Sequence, residues 1–190
     1  DRATLLTTLV THAVREFAID LNELHQDTTT VTFSGQYDNV SDSHPHITFG
    51  YNKDHRPDLK QLLYSITISA DGAVPVHCKL YDGNTSDDQV HIDTWSFLHQ
   101  IIGHPDFLYV ADSKLCTSGN MSHIHTRGGK FLTVMPRTRS EADWFHDYQF
   151  HNTLPWEEVH REPRERDGAV AAGLAQEGLD VGQRLFRRPL

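Results

Sequence analysis

Two aspartates occupy positions where chemistry is easier to explain than packing. Asp27 lies in Leu24-His-Gln-Asp27-Thr-Thr-Thr-Val-Thr-Phe33, and Asp112 closes Phe107-Leu-Tyr-Val-Ala-Asp112. A carboxylate at the mouth of an apolar strand adds nothing to packing and resists burial. Two of them on neighbouring strands make a hard-oxygen site suited to Mg²⁺ or Mn²⁺. Such ions assist phosphodiester cleavage and transfer. The competing structural role is that each aspartate caps the turn or helix that follows its strand.

The charge pattern bears on the partner. The chain has 190 residues and a formal net charge of −9, which argues against a polyanion as partner. The charge is uneven, however. Residues 1–112 hold sixteen Asp/Glu against six Lys/Arg, whereas residues 113–140 hold Lys114, Arg127, Lys130, Arg137 and Arg139 and no acid. A basic stretch directly after a metal-binding aspartate is where phosphates would be met; an ordinary solvated face explains the same residues. Lys53, Arg56 and Lys60 form a second basic set able to contact a DNA backbone, although Asp54 and Asp58 among them suit local ion pairs equally well.

The elements that must position the aspartates follow from periodicity. Leu5, Leu6, Leu9, Val10, Ala13, Val14 and Phe17 form a helical stripe over 4–18. A Thr- and Val-rich strand covers 24–33. Turn residues follow at Gly35 and Asp38-Asn39, then shorter strands at His46–Tyr51 and Leu62–Ser69. Asp71-Gly72 predicts a tight turn, so that Val74–Leu80 pairs back antiparallel. After the Asp82–Thr85 turn, Thr85 or Ser86 caps a helix over 87–102, which Gly103 and Pro105 end. Phe107–Ala111 reads as a buried strand, Ser118–Arg127 as a helix and Lys130–Met135 as a strand. Antiparallel strands followed by alternating strand and helix predict an α/β or α+β sheet with helical cover.

Beyond about residue 160 the pattern fades, and Val170, Leu174, Leu179 and Leu185 suggest at most a weak helix. The expected organisation is a core over 1–155 and a poorly ordered or atypical tail over 156–190. No run is apolar enough to span a membrane, and no signal segment opens the chain. It begins at Asp1 rather than Met and therefore reads as a fragment or a processed product. Cys78 and Cys116 match no paired motif, so a reduced, cytoplasmic setting is expected.

Four blocks occur in order: His25-Gln-Asp27-Thr-Thr-Thr, Phe49-Gly-Tyr-Asn-Lys-Asp-His-Arg-Pro-Asp-Leu-Lys-Gln61, Asp82-Gly-Asn-Thr-Ser-Asp87 and Val110-Ala-Asp112. Together they resemble the DDE transposases of bacterial insertion sequences, over roughly residues 1–150. The resemblance implies a ribonuclease-H-like α/β fold, a mixed sheet with antiparallel first strands and parallel later ones, flanked by helices. It also implies that Asp27 and Asp112 are the first two acids of a metal-binding triad. That triad uses Mg²⁺ or Mn²⁺ to cut and join transposon-end DNA, in an active relative as a homodimer. One departure stands out. The third acid of the family is a Glu on a late helix, among Tyr, Arg and Lys at helical spacings. Glu141, Glu157 and Glu158 lack that context. The chain is therefore expected to be weak or inactive as an enzyme, with a non-catalytic DNA-binding or dimerising remnant as the alternative.

Other constellations are weaker. Asn84 and Thr85 suit turn and cap roles better than ligation. Fourteen histidines, with His44-Pro-His46 and His123-Ile-His125, raise a histidine-rich zinc-binding domain as a further alternative. A single His-x-His pair on a helix does not aim both rings at one ion. No Gly-x-Ser-x-Gly elbow is present for a serine hydrolase. Trp95, Trp144 and Trp156 read as packing residues.

Overall fold

A computed structural model describes residues 2–37, 45–51, 56–153, 157–161 and 184–187. The chain divides into two compact units, 1–136 and 137–190. The first unit begins with helix α1 (Arg2–Glu16) and strand β1 (Glu23–Phe33). Strands β2 (Thr48–Phe49), β3 (Lys60–Ser69) and β4 (Pro75–Asp82) follow. Then come α2 (Val90–Ile102), β5 (Leu108–Ala111), α3 (Ser118–His125) and β6 (Lys130–Leu132).

These strands form one mixed six-stranded sheet in the order β2-β3-β1-β5-β6, with β4 pairing β3 as well. The β1–β3, β2–β3 and β3–β4 pairs are antiparallel, while β1–β5 and β5–β6 are parallel. This is the expected order, with antiparallel strands first and parallel strands after. The β3–β4 hairpin turns where it was predicted to, with Gly72 at φ 71°. Its register slips at Thr67/Ile68.

Alternation decides which face is buried. Leu24, Gln26 and Thr28 on β1 are buried, as are Leu63, Ser65 and Thr67 on β3 and Tyr109 and Ala111 on β5. The core beneath that face joins Leu24, Val76, Trp95, Leu98, Phe107, Tyr109, Leu115 and Ile124. Trp95 is its largest member and stacks on Phe107 at 5.9 Å between ring centroids. Side chains at successive strand positions point to opposite faces. His25, Asp27, Ile66, Ile68 and Val110 therefore lie on the other face.

Two of the ordered blocks turn out to share a structural task. Gln61 Nε2 donates to Gly83 O at 2.7 Å and to Tyr51 O at 3.1 Å. Gly83 N donates to His46 O at 3.1 Å, and His46 N donates to Asp82 Oδ1 at 2.7 Å. A Cβ on Gly50 would stand 2.0 Å from Gly83 O, and one on Gly83 would stand 2.0 Å from Gln61 O. Only glycine allows backbones this close.

Several local expectations change. The predicted cap of the 87–102 helix does not form. Asp87–Gln89 is instead a 3-10 turn leading into α2, and the Ser86 hydroxyl bonds the Asp88 carboxylate. The competition of short polar side chains for nearby acceptors explains this. Gly103 does end α2, in the left-handed conformation. The 118–127 helix stops at His125, and the 130–135 strand stops at Leu132.

In the second unit, α4 (Ser140–His151) appears where no helix was anticipated. Trp144 is 63% exposed there rather than packed, and it stacks on Tyr148. Strands β7 (Glu157–Arg161) and β8 (Arg184–Arg187) pair antiparallel within the stretch expected to be a poorly ordered or atypical tail. Leu185 thus lies in a strand rather than a helix. The turn residues Asp38-Asn39, together with Trp156, Val170, Leu174 and Leu179, lie outside the described residues.

Candidate functional site

The parallel pairing of β1 and β5 sets the site. Its register runs from Glu23↔Leu108 to Gln26↔Ala111 and stops there. Asp27 and Asp112 are the next residues on each chain, at the carboxyl end of the pairing. Neighbouring strands are about 4.8 Å apart, so the two backbones enter this point side by side. In open sheets built partly from parallel strands, ligands are bound beyond the carboxyl ends of the strands. Both aspartates line one open depression of about 490 Å³, with His25, Ile66, Ile68 and Val110.

Asp27 is not at the end of its own strand. Strand β1 continues six residues further to Phe33, paired with β3 alone. Asp27 sits opposite Ile66, is exposed, and its Oδ1 accepts from Thr28 N–H at 2.7 Å. Asp112 combines the two roles considered for it. It begins the 3-10 turn Ser113–Leu115, and its Oδ1 accepts from Lys114 N–H at 2.9 Å. The cap occupies one carboxylate oxygen and leaves the residue exposed over the depression.

The buried side beneath Asp112 is polar. His91 on α2 is 2% exposed, and its Nδ1 lies 3.2 Å from Tyr109 Oη. Burial pushes the His91 imidazole below its ordinary pKa, against the opposing pull of Asp112, Asp87 and Asp88. Burial likewise pushes the Tyr109 phenol upward. Asn120 Nδ2 donates to Asp88 O at 2.9 Å, tying α3 to the turn before α2.

The basic candidates separate. Lys114 is exposed and only two residues beyond Asp112. Lys130 is level with Leu108, at the far end of β5, about 13 Å from Asp112 by strand rise, and its Nζ pairs with Asp106 at 2.6 Å. Lys60 pairs with Phe33, six residues along β1 from Asp27, and donates to Tyr37 O. Arg56 forms a two-pronged pair with Asp58 at 2.7 and 2.8 Å, which raises the guanidinium pKa and lowers that of the carboxyl. This is the local ion pair considered for that block. Arg127 follows α3, and its Nη1 donates to His123 O. Lys53 lies outside the described residues.

Sequence reading passed over His25 as a site residue. It lines the depression, its Nε2 lies 2.8 Å from Glu23 Oε1, and alternation along β1 from Asp27 is the signal that could have found it. Two hard carboxylates fit Mg²⁺, which keeps several waters and commonly takes one or two protein carboxylates. No group of three or more His, Cys, Asp or Glu able to hold a metal ion forms among the described residues. His123 Nε2 contacts Ser96 Oγ, Cys116 is buried and Cys78 is exposed on β4. Among the described residues no helix is long and apolar enough to cross a membrane.

No family model and no curated protein sequence matches the chain. Among solved structures it is similar to a pre-cleavage Mos1 transpososome, at 9% identity and a TM-score of 0.39, covering 69% of this chain and 41% of that one. It is also similar to the Mos1 mariner paired-end complex with Mn, at 10% identity and a TM-score of 0.40, covering 79% of this chain and 47% of that one. For the catalytic domain of Mos1 mariner transposase the values are 9%, 0.38, 79% and 69%. The chain thus spans less than half the length of the two complexed transposase chains.

Proposed function

We propose that this chain is part of the catalytic core of a DDE-type transposase, in which Asp27 and Asp112 hold a divalent cation for phosphoryl transfer on DNA. The observation that carries this reading is the termination of the β1–β5 pairing immediately before both aspartates, on one open face. Bound there, Mg²⁺ would activate a hydroxyl nucleophile and stabilise the leaving oxygen. Asp27 and Asp112 supply the hard oxygens, and Lys114 is placed to meet a phosphate next to them. Among the described residues no third carboxylate joins this set. A two-metal arrangement therefore lacks a ligand, and the chain alone is expected to bind metal with little or no strand transfer.

Mn²⁺-dependent nicking and strand transfer on a terminal-repeat DNA test this directly. Robust activity that Asp27→Ala abolishes would overturn the expectation of a weak or inactive chain while supporting the site. The absent third ligand also favours a second reading, a DNA-binding remnant without catalysis. It predicts salt-sensitive DNA binding that is indifferent to metal and to Asp27→Asn. For the zinc-domain alternative, the check is metal analysis of the purified protein; a folded, zinc-free preparation rejects it.

A further inference from the structure

Asp112 lies one residue past the last β1–β5 pair. The β1–β5 pairing ends at Ala111, and β6 ends opposite Val110 at Leu132. Three hydrogen bonds add to that pairing. Two are local to its turn: Lys114 N–H to Asp112 Oδ1 at 2.9 Å and Leu115 N–H to Asp112 O at 3.1 Å. The third comes from elsewhere in the fold: Thr133 Oγ1, one residue past β6, donates to Asp112 O at 2.5 Å.

Resting on the metal-site reading above, we propose that Thr133 is a positioning residue that locks Asp112 onto the sheet at the level of Asp27. The two local bonds shape the 3-10 turn but move with it. The Thr133 bond comes from the segment after β6, and Asp112 O then accepts from two donors, as a carbonyl with two lone pairs can. Without it the turn keeps its internal bonds, while the Asp112 backbone carbonyl loses its tie to the residue after β6, and the carboxylate on that residue is held less firmly beside Asp27. A metal held by two carboxylates feels such an offset directly, because ligand geometry depends on outer partners.

The test measures Mn²⁺ affinity on the intact chain, by titration calorimetry or electron paramagnetic resonance, for wild type, Thr133→Val, Thr133→Ser, Asp27→Asn and Asp112→Asn. Outer-partner losses typically weaken metal sites roughly tenfold or more, and about that loss is expected for Thr133→Val. Thr133→Ser, which keeps the hydroxyl, should restore most of it. The thermal midpoint of Thr133→Val should stay close to wild type. Wild-type affinity in Thr133→Val, or failure of Thr133→Ser to restore it, overturns the positioning role alone. Mn²⁺ binding that neither aspartate substitution alters overturns the metal site itself, and this role with it.

Discussion

Gln26 and Ala111 are the last residues to pair between β1 and β5, and each is followed at once by an aspartate. Two chain segments 85 positions apart therefore deliver carboxylates to one level of the sheet. Each aspartate is satisfied locally by a single neighbouring N–H, from Thr28 or Lys114. Neither forms a salt bridge among the described residues, and both remain open to a cation.

Mg²⁺ or Mn²⁺ should stabilise the folded chain, and either Asp27→Asn or Asp112→Asn should abolish most of that gain. A ligand present at about 100 times its dissociation constant adds about 2.7 kcal/mol. Thermal melts with and without metal provide the measurement. Equal metal-dependent shifts in wild type and both variants would place the ion elsewhere.

Lys114 and Lys130 should behave differently towards DNA despite their closeness in sequence. Lys114→Ala should weaken binding and reduce the slope of log affinity against log salt by about one. Lys130→Ala should change little, because Lys130 pairs with Asp106 at the other end of β5. Filter binding over a range of salt concentrations separates the two, and equal losses would refute the proposed orientation of DNA on this face.

Gly83→Ala should be among the most damaging small substitutions. Its Cβ would press against Gln61 O at 2.0 Å and Thr48 O at 2.6 Å, both backbone atoms that cannot swing away. Overpacking of this kind costs about 1–3 kcal/mol, sometimes more. Urea denaturation should show the loss, and a wild-type midpoint would mean that the junction has slack.

Acid should destabilise the fold through His77, which burial beside Lys79 pushes down to about 4 from its ordinary 6.5. Above pH 6.5 neither folded nor unfolded His77 binds a proton, so its contribution is constant. Between pH 6.5 and about 4 the unfolded chain takes up the proton while the folded chain resists, so stability falls as pH falls. Below about 4 both forms are protonated and this loss levels off. The depressed His91 acts in the same direction. His77→Gln should flatten the pH dependence of the denaturation midpoint across that window; an unchanged slope would assign the effect to other groups.

Much of the fold was legible because local rules agreed. Thr and Val content marked β1, alternation marked β3, Asp71-Gly72 marked the hairpin turn, and Gly103 marked the end of α2. Helix α4 was not legible. Trp144, Phe145, Tyr148 and Phe150 carry no stripe that separates a buried face, and Trp144 and Phe150 are in fact largely exposed. The block from Phe49 to Gln61 looked like a contact surface, yet part of it builds the junction of Gly50, Gln61 and Gly83. A steric fit between distant backbones has no signature in either segment alone.

The sequence by itself determined the two aspartates and the strands that carry them. Only the tertiary structure decided that the aspartates share a level. Parallel register is fixed by which apolar residues two strands bury together, and no turn between them dictates it. The β5–β6 pairing in turn set Lys130 at the far end of β5 and brought the Thr133 hydroxyl to the Asp112 carbonyl. Periodicity reveals which face a residue takes; position along that face depends on long-range pairing.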